Sequence, residues 1–300
     1  MTKSVFVSIV GRTNAGKSSL LNSIVREKIA SVSDKPQTTR TRITGIKTVG
    51  ETQMVFMDTP GLHKPKNKLS THMLNAAKSS VADMDAVLFV MDCTNRFVSD
   101  EETEMLSGLM KSKSAVILVL NKIDLLQDKS DLISVITELN SKYSFESIIP
   151  ISVKNNDGVS IVEDEVMKLA KESPHFFPDE KFTDQPERVL AAEMIREKLL
   201  RLLEKEVPHG IAVGIERMDE RDDKDILDID AVIYCERMSH KGIVIGKGGS
   251  MLKRIASAAR KDLEDFFCIQ VNLQCWVKVK EDWRNKEGLI KNFGLADDGV

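Results

Sequence analysis

The sequence contains the octet Gly11-Arg12-Thr13-Asn14-Ala15-Gly16-Lys17-Ser18, which fits the pattern G-x-x-x-x-G-K-S of a phosphate-binding loop. It follows the apolar run Val5 to Val10 and precedes an apolar-periodic segment, so strand, glycine turn and helix occur in the order that this loop requires. Glycines let backbone amides approach phosphate oxygens at a helix N-terminus, Lys17 supplies positive charge, and Ser18 offers a hydroxyl to Mg²⁺. The octet therefore predicts an α/β nucleotide-binding domain.

A phosphate-binding loop contacts the phosphates and does not distinguish one base from another, so the base must be recognised elsewhere. The tetrapeptide Asn121-Lys122-Ile123-Asp124 follows the strand-like run Val116 to Leu120. The Asp124 carboxylate can accept hydrogen bonds from both guanine N1–H and the exocyclic amine, a pair of donors that adenine lacks. We expect Asn121 to tie this loop to the first one, and the Lys122 stem to cover the base with its charge in solvent.

A third stretch, Ile151-Ser152-Val153, ends another strand-like run. We expect the backbone amides of Ser152 and Val153 to reach the guanine carbonyl. Together with the tetrapeptide, this stretch predicts that the ligands are GTP and GDP.

Two segments between these anchors suit a nucleotide-dependent switch. Asp58-Thr59-Pro60-Gly61 comes directly after a strand-like run, so Asp58 is expected to hold a water ligand of Mg²⁺ and Gly61 to offer its amide to the γ-phosphate. Upstream, the polar stretch Pro36 to Arg42 is expected to supply one threonine to Mg²⁺ when GTP is bound. Thr39 is favoured for this role, with Thr38 as the alternative.

Buried-strand runs alternate with helical segments through residue 171, which predicts a mostly parallel sheet. One antiparallel hairpin is expected where Ile43 to Val49 meets Met54 to Met57. Three prolines between Ser173 and Pro186 then break the pattern and indicate a linker. After the linker we expect elements in the order of a type II KH fold: a helix at Glu187 to Glu206, strands at Ile211 to Met218 and Ile226 to Cys235, a helix at Ser250 to Phe267 and a last strand at Val271 to Val279.

The second domain carries the tetrapeptide Gly246-Lys247-Gly248-Gly249 ahead of a helix that starts near Ser250. This spacing matches the G-x-x-G clamp that holds a nucleic-acid backbone. Residues 240–261 include six lysines and arginines and no acidic residue, which a net charge of −3 for the 300 residues conceals. We expect Lys253 and Arg254 to contact RNA as well. The two tryptophans near the end, Trp276 and Trp283, are left out of the site because strand alternation places Trp276 in the core.

These residues resemble the Era GTPase family, in which a P-loop GTPase domain precedes an RNA-binding KH domain. The resemblance covers nearly the whole chain and rests on the octet and on four further stretches: Gln37-Thr38-Thr39-Arg40, Asp58-Thr59-Pro60-Gly61-Leu62, Asn121-Lys122-Ile123-Asp124 and Val244-Ile245-Gly246-Lys247-Gly248-Gly249. Thr13 and Ala15 stand where the family usually has Pro and Val, and Val153 where Ala is usual. The resemblance implies an α/β GTPase domain with a mostly parallel sheet at residues 1–172, a linker at 173–186, and a smaller α+β type II KH domain with its tail at 187–300.

The resemblance further implies that the protein hydrolyses GTP, binds 16S ribosomal RNA of the small subunit near its 3′ end, and acts in maturation of the small (30S) ribosomal subunit. Family members are associated with the cytoplasmic face of the membrane, although this sequence has no lipidation motif or clear amphipathic anchor to explain such contact. We expect a cytoplasmic monomer. Four scattered cysteines without metal-ligand spacing agree with a reducing compartment.

The expected site residues fall into four groups by role. Nucleotide binding is assigned to Gly11, Arg12, Thr13, Asn14, Ala15, Gly16, Lys17, Ser18, Asp58, Thr59, Pro60, Gly61, Leu62, Asn121, Lys122, Ile123, Asp124, Ser152 and Val153. Catalysis is assigned to Lys17, Thr39 and Gly61. Magnesium binding is assigned to Ser18, Thr39 and Asp58. RNA binding is assigned to Gly246, Lys247, Gly248, Gly249, Lys253 and Arg254.

One catalytic component is missing from the sequence. Many GTPases carry a water-orienting glutamine directly after the switch glycine, whereas this chain has Leu62, whose side chain can neither donate nor accept a hydrogen bond. Slow basal hydrolysis is therefore expected. Asn14 stands where related GTPases without that glutamine bind potassium, so activation by K⁺ is a hypothesis.

Two other classes of protein share some of these features. A P-loop kinase would use Lys17 and Mg²⁺ but would need neither Asp124 nor two switch segments. A regulatory GTPase could use the KH-like domain to dock a protein instead of RNA. Selectivity for guanine nucleotides would distinguish the GTPase from a P-loop kinase. RNA binding would distinguish it from a protein-docking regulator.

Overall fold

The computed structural model of the protein describes residues 1–36, 38–61, 67–79, 84–95, 98–126 and 128–295, without the side chains of residues 78, 79 and 129–131. The chain divides into two compact units. Unit 1 comprises the described residues within Met1–Ala30, Thr39–Lys64 and Met73–Asp184, and unit 2 those within Ser31–Thr38, Pro65–His72 and Gln185–Val300. The linker predicted at residues 173–186 thus lies mostly with unit 1, and two short upstream segments lie with unit 2.

Unit 1 is built from alternating strands and helices. Its strands are β1 (Lys3–Val10), β2 (Ile43–Val49), β3 (Thr52–Asp58), β4 (Ala86–Asp92), β5 (Ala115–Asn121), β6 (Ser147–Ile151) and β7 (Lys171–Glu172). The helices between them are α1 (Lys17–Val25), α2 (Lys68–Ser79, whose first residues belong to unit 2), α3 (Asp100–Leu109), α4 (Lys129–Lys142) and α5 (Val159–Lys168).

The strands of unit 1 form one sheet with the order β2-β3-β1-β4-β5-β6. The central strands pair in parallel, β2 pairs antiparallel with β3, and the short β7 pairs antiparallel with β1. The side chains of Ala86 to Met91 on β4 are all buried, as expected for a parallel strand covered on both faces. The predicted mostly parallel sheet with one β2–β3 hairpin is confirmed.

The segment from Ser173 to Asp184 packs along this sheet. The side-chain oxygen of Gln53 accepts hydrogen bonds from the amides of Phe176 and Phe177, at 2.8 and 3.0 Å. The Phe176 ring meets Phe6 edge-on, with 4.9 Å between ring centroids. Thr183 donates its hydroxyl to the carbonyl of Thr44. The Phe176 ring, the hydrogen bonds to Gln53 and the Thr183 hydroxyl therefore anchor the predicted linker to unit 1.

Unit 2 consists of a three-stranded sheet and its helices. The elements are α6 (Glu187–Leu202), β8 (Ile211–Glu220), β9 (Ile226–Cys235), α7 (Met238–Ile245), α8 (Ser250–Phe267), β10 (Gln270–Val279) and α9 (Glu287–Asn292). Their sheet order is β10-β9-β8, with β9 and β10 parallel and β8 and β9 antiparallel. This arrangement confirms the predicted smaller α+β KH fold.

Helix α6 ends earlier than the sequence pattern predicts. Its apolar face, including Ile195 and Leu199, is buried in the core of unit 2 together with Ile255 and Leu263 of α8. The helix stops at Leu202 because Leu203 is extended and itself buried in that core. Tertiary packing, rather than helix propensity, sets this boundary.

Helix α6 also holds the segment Ser31–Thr38 within unit 2. Glu197, fully buried, accepts a hydrogen bond from the amide of Val32 at 3.0 Å and pairs with Arg201 at 3.0 Å. Arg196 donates to the carbonyl oxygen of Thr38 and pairs with Glu193. These charged side chains form an ionic cluster on the helix, in which Arg196 and Glu197 are buried and Arg201 is about half exposed.

Candidate functional site

The phosphate-binding loop turns sharply between β1 and α1, and its glycines are required by geometry. Gly11 has φ 144°, and a Cβ there would lie 2.2 Å from the carbonyl oxygen of Val90. Gly16 has φ 101°, and a Cβ there would lie 2.1 Å from the amide nitrogen of Asn121. Positive φ, together with the close approach of Val90 backbone at Gly11 and of the Asn121 side chain at Gly16, excludes larger residues at both positions.

Lys17 lies at the start of α1 with 6% of its surface exposed. Its Nζ donates to the carbonyls of Gly11 and Arg12 at 3.1 and 2.9 Å. Burial lowers the pKa of Lys17 from its ordinary value, while the charge of Asp58 works in the opposite direction. The loop thus carries a sheltered cation that a phosphate can reach by replacing weak carbonyl acceptors.

Three oxygen-bearing side chains from separate elements meet beside Lys17. The Ser18 hydroxyl lies 2.6 Å from Asp58 Oδ2 and 2.7 Å from the Thr39 hydroxyl, which is itself 3.3 Å from Asp58 Oδ2. Burial raises the pKa of Asp58, and Lys17 opposes this effect. Within the described part of the chain, the buried Oδ1 of Asp58 has no hydrogen-bond partner. Hydroxyl and carboxylate oxygens with one unsatisfied site are a donor set that fits Mg²⁺.

The structure separates the two candidate threonines. Thr39 is buried in unit 1 beside Ser18, whereas the Thr38 hydroxyl donates to the carbonyl of Lys35 at 2.6 Å in unit 2. Only Thr39 therefore joins the cluster around Asp58.

The segment after β3 packs against the phosphate-binding loop. Thr59 donates its hydroxyl to the carbonyl of Ile9 at 2.9 Å, and Pro60 is buried. Gly61 lies so close to Thr13 that a Cβ would be 2.7 Å from the threonine methyl group. The segment around Gly61 is thereby brought to the phosphate-binding loop as predicted. Gln37 and Leu62 lie outside the described residues.

The tetrapeptide after β5 contacts both neighbouring loops. Asn121 donates through Nδ2 to the carbonyl of Ala15 at 2.9 Å, which is the predicted tie to the first loop. Asp124 Oδ1 accepts from the Ser152 hydroxyl at 2.6 Å. The amide of Ser152 donates to the carbonyl of Asp157, and that of Val153 to Asn121 Oδ1 at 3.2 Å. Since both amides have protein acceptors, their contact with a guanine carbonyl stays a prediction.

The expected position of the Lys122 charge is wrong. Its Nζ lies 2.6 Å from Asp92 Oδ2 rather than in open solvent. Asp92 ends β4 and pairs in register with Asn121 at the end of β5. Sequence reasoning missed Asp92, although a carboxylate at the end of a strand beside the tetrapeptide was the signal that could have found it.

The basic tetrapeptide of unit 2 forms a tight turn between α7 and α8. Gly246, Gly248 and Gly249 have φ values of 73, 59 and 81°. Among the residues that the structure describes, no atom lies within 4 Å of a Cβ placed on Gly248 or Gly249, so the turn is open to a ligand backbone. The exposed cations around the turn are Lys247, Lys253 and Arg254. The structure brings all six predicted RNA-binding residues to one surface of unit 2.

The exposure of Trp276 differs from what strand alternation predicts, and Trp283 is the buried tryptophan. Trp276 is 43% exposed, because its neighbours Cys275 and Val277 on β10 are the residues that face the core. Trp283 is fully buried and donates its indole N–H to the carbonyl of Gly210 at 3.0 Å. The expected core position of Trp276 is therefore wrong.

Comparisons with known proteins agree with a nucleotide site in unit 1 and a KH fold in unit 2. A family model described as a 50S ribosome-binding GTPase matches residues 6–122, and a KH domain model matches residues 206–284. GTPase Era of Clostridioides difficile is 50% identical over 297 residues, which are 99% of this chain and 100% of that protein. The chain belongs to the Era GTPase family. GTPase Era of Caldanaerobacter subterraneus subsp. tengcongensis is 46% identical over 293 residues, which are 98% of each protein.

Solved structures of Era are also similar over nearly the whole chain. An Era variant from Aquifex aeolicus bound to GDP·AlF4⁻ matches with a TM-score of 0.94 at 36% identity, covering 98% of this chain and 100% of that one. Era in complex with MgGDPNP and nucleotides 1506–1542 of 16S ribosomal RNA gives the same TM-score and identity, covering 99% and 100%. This Era-family protein is thus a GTPase that hydrolyses GTP. Within the part of the chain that the structure describes, no helix combines the length and apolar character needed to span a membrane.

Proposed function

We propose that this Era-family GTPase uses Ser18, Thr39 and Asp58 to hold Mg²⁺ with the β- and γ-phosphates of GTP. The convergence of these three side chains supports the proposal most directly, together with one buried Asp58 oxygen that has no hydrogen-bond partner among the described residues. An Era protein of similar structure contains MgGDPNP, which agrees with the same ion here. When bound, Mg²⁺ supplies positive charge that stabilises the developing charge on the phosphates.

The protein residues position and stabilise the phosphates. The amides of the Gly11–Ser18 loop would donate to the phosphate oxygens at the N-terminus of α1. Lys17 adds a charge whose hydrogen bonds strengthen in this sheltered site. Gly61 lies against Thr13 of this loop, and its amide is proposed to donate to the γ-phosphate. Asp124 accepts the two guanine donors and supplies base selectivity.

Water activation is the weak step of this mechanism. The residue after Gly61 is Leu62, so no side chain at that position orients the attacking water. We propose slow basal hydrolysis, and K⁺ bound at Asn14 as an accelerating factor. Equal hydrolysis rates in sodium and potassium buffers would remove the role of K⁺ and leave the rest of the mechanism in place.

We propose that the KH surface binds the 3′-end region of 16S ribosomal RNA and that the protein acts in maturation of the small ribosomal subunit. The similar Era complex with nucleotides 1506–1542 of 16S RNA supports this partner, as does the open Gly246–Gly249 turn with its exposed cations. GTP and GDP would then set how long the RNA is held. The proposed setting is a monomer in the cytoplasm, with peripheral membrane contact proposed from family resemblance alone.

Filter binding tests this function directly. The purified protein is mixed with a labelled oligonucleotide of the small-subunit rRNA 3′ end or a scrambled sequence, in the presence of a GTP analogue or GDP. We expect selective binding with the GTP analogue and its loss in Gly248→Asp. Aspartate tolerates the positive φ of Gly248, so this variant acts mainly by adding negative charge.

The matched control is Gly108→Asp, which adds the same charge at an exposed position on α3 in unit 1. It should leave RNA binding unchanged. If binding is absent, insensitive to sequence, or equal with GTP analogue and GDP, the RNA switch is wrong and the KH-like unit is better explained as a protein-docking surface.

A further inference from the structure

The carboxylate of Asp92 is fixed on both of its oxygens beside the guanine tetrapeptide. Oδ2 accepts from Lys122 Nζ at 2.6 Å, while Oδ1 accepts from the amide and hydroxyl of Thr94 at 3.0 and 2.7 Å. The adjacent amide of Cys93 donates to the carbonyl of Asn121 at 3.0 Å, which ties the end of β4 to the end of β5. Asp92 therefore has one orientation, and that orientation points its second oxygen at Lys122.

The Asp92–Lys122 pair is more sheltered than a surface ion pair. The Asp92 side chain is 17% exposed and that of Lys122 is 30% exposed. Burial acts to raise the pKa of Asp92, but the hydrogen bonds from Lys122 and Thr94 outweigh it and hold the pKa below its usual value. Because the carboxylate remains charged at neutral pH, the pair forms a charge-assisted hydrogen bond that is partly shielded from solvent.

The backbone of Lys122 is fixed as well. Lys122 has φ 72°, and its amide donates to Asn121 Oδ1 at 2.8 Å. Asn121 thus holds the main chain of Lys122 while Asp92 holds its terminal amine, and the apolar stem runs between two fixed points. A free lysine side chain loses rotamer entropy when a ligand orders it. Here that ordering precedes ligand binding, which favours affinity.

We propose that Asp92 is a positioning residue for guanine binding, which holds the Lys122 amine so that the lysine stem presents a preformed apolar surface to the face of the base. The proposal rests on the assignment of Asn121–Asp124 as the guanine loop. It assigns Asp92 a role distinct from that of Asp124. Asp124 reads the edge of the base, whereas Asp92 acts through Lys122 on its face.

The test measures binding and release of a fluorescent GDP analogue by the full-length protein and its Asp92→Ala variant. We expect affinity to fall about tenfold, mainly through faster release, as for the loss of one charge-assisted hydrogen bond. The kcat at saturating GTP should stay within about twofold of the parent value, since this pair acts on binding the base. Inosine diphosphate should lose the same factor as GDP, because only the base edge differs between them.

The matched control is Glu163→Gln, which removes the charge from the comparable Lys47–Glu163 pair of unit 1, 2.5 Å apart with both side chains mostly buried. This variant should bind GDP like the parent protein. In the Lys122→Ala background, Asp92→Ala should cause no further loss, because its effect passes through the lysine. Where Asp92→Ala does not fold, Asp92→Asn replaces it, since the amide oxygen can still accept from Thr94.

Two results would overturn the inference: an Asp92 variant that binds GDP as tightly as Glu163→Gln does, or losses that add in full to those of Lys122→Ala. The variant Asp124→Asn, measured alongside, tests the guanine loop separately. It should shift preference toward xanthine nucleotides, whose C2 carbonyl can accept from the asparagine amide. If that shift occurs while Asp92→Ala is neutral, only the role of Asp92 fails. If the shift is absent, the guanine-loop assignment fails.

Discussion

At the scale of single residues, Gly16 shows how tightly the nucleotide loop is built. Its missing side chain leaves room for the Asn121 amide, which donates to Ala15. In Gly16→Ala the new methyl group would occupy that space and break this buried hydrogen bond. We expect GDP affinity to fall by about 2 kcal/mol, or roughly 30-fold, in equilibrium titration.

The control for this variant is Gly50→Ala. Gly50 also has positive φ, but no atom of the described part of the chain lies within 4 Å of a Cβ placed there. Its substitution should cost about 1 kcal/mol of unfolding free energy through backbone strain and leave GDP affinity unchanged. Equal affinity losses in the two variants would mean that strain, and not the Asn121 contact, explains the result.

At the scale of elements, the buried charged side chains of α6 should contribute more to stability than the exposed ones. Glu197 is fully buried and accepts from Val32 while pairing with Arg201. Removing it in Glu197→Ala takes away the acceptor of the Val32 amide and the partner of Arg201, so we expect a loss of about 2 kcal/mol in denaturant unfolding. Glu187→Ala, at an exposed position on the same helix, should cost no more than about 0.5 kcal/mol. A similar cost in both variants would contradict the role of the buried cluster.

The β8–β9 hairpin should show a pH-dependent contribution to stability. Hydrogen bonds from Arg221 and Asn272 hold the pKa of Asp228 far below its usual range. A carboxyl with a depressed folded-state pKa stabilises the fold above its unfolded pKa, and this contribution is lost as pH falls. Asp228→Asn should therefore lower Tm at pH 7. The gap from the parent protein should narrow as pH falls below about 4. A constant gap across this range would contradict the ionic origin.

At the scale of the whole molecule, a net charge of −3 conceals an exposed basic surface on unit 2. RNA affinity should consequently fall steeply with salt, because each phosphate contact releases counterions. Lys253→Ala should reduce the slope of log affinity against log salt by about 0.7, the value for one contact on a single strand. Lys113→Ala, which removes an exposed cation from unit 1, should leave the slope unchanged. A slope that is insensitive to Lys253 would remove this residue from the RNA surface.

Sequence alone determined the parts of the protein that are encoded over a few neighbouring residues. The Gly11–Ser18 loop and the Gly246–Gly249 turn were predicted because glycines at positive φ leave a local signature. The strands of unit 1 were predicted because burial on both faces requires continuous apolar runs. Local patterns also placed β9 and α8 at their observed bounds, residues 226–235 and 250–267.

Only the tertiary structure decided which distant side chains meet. Strand order and register bring Asp92 to Lys122, and no local pattern encodes that partnership. The same holds for the choice of Thr39 over Thr38 beside Ser18, for the end of α6 at a buried Leu203, and for the exposure of Trp276 on β10. Sequence periodicity specifies that a strand or helix has a buried face. It does not specify which elements cover that face, because this choice depends on packing among residues far apart in the chain.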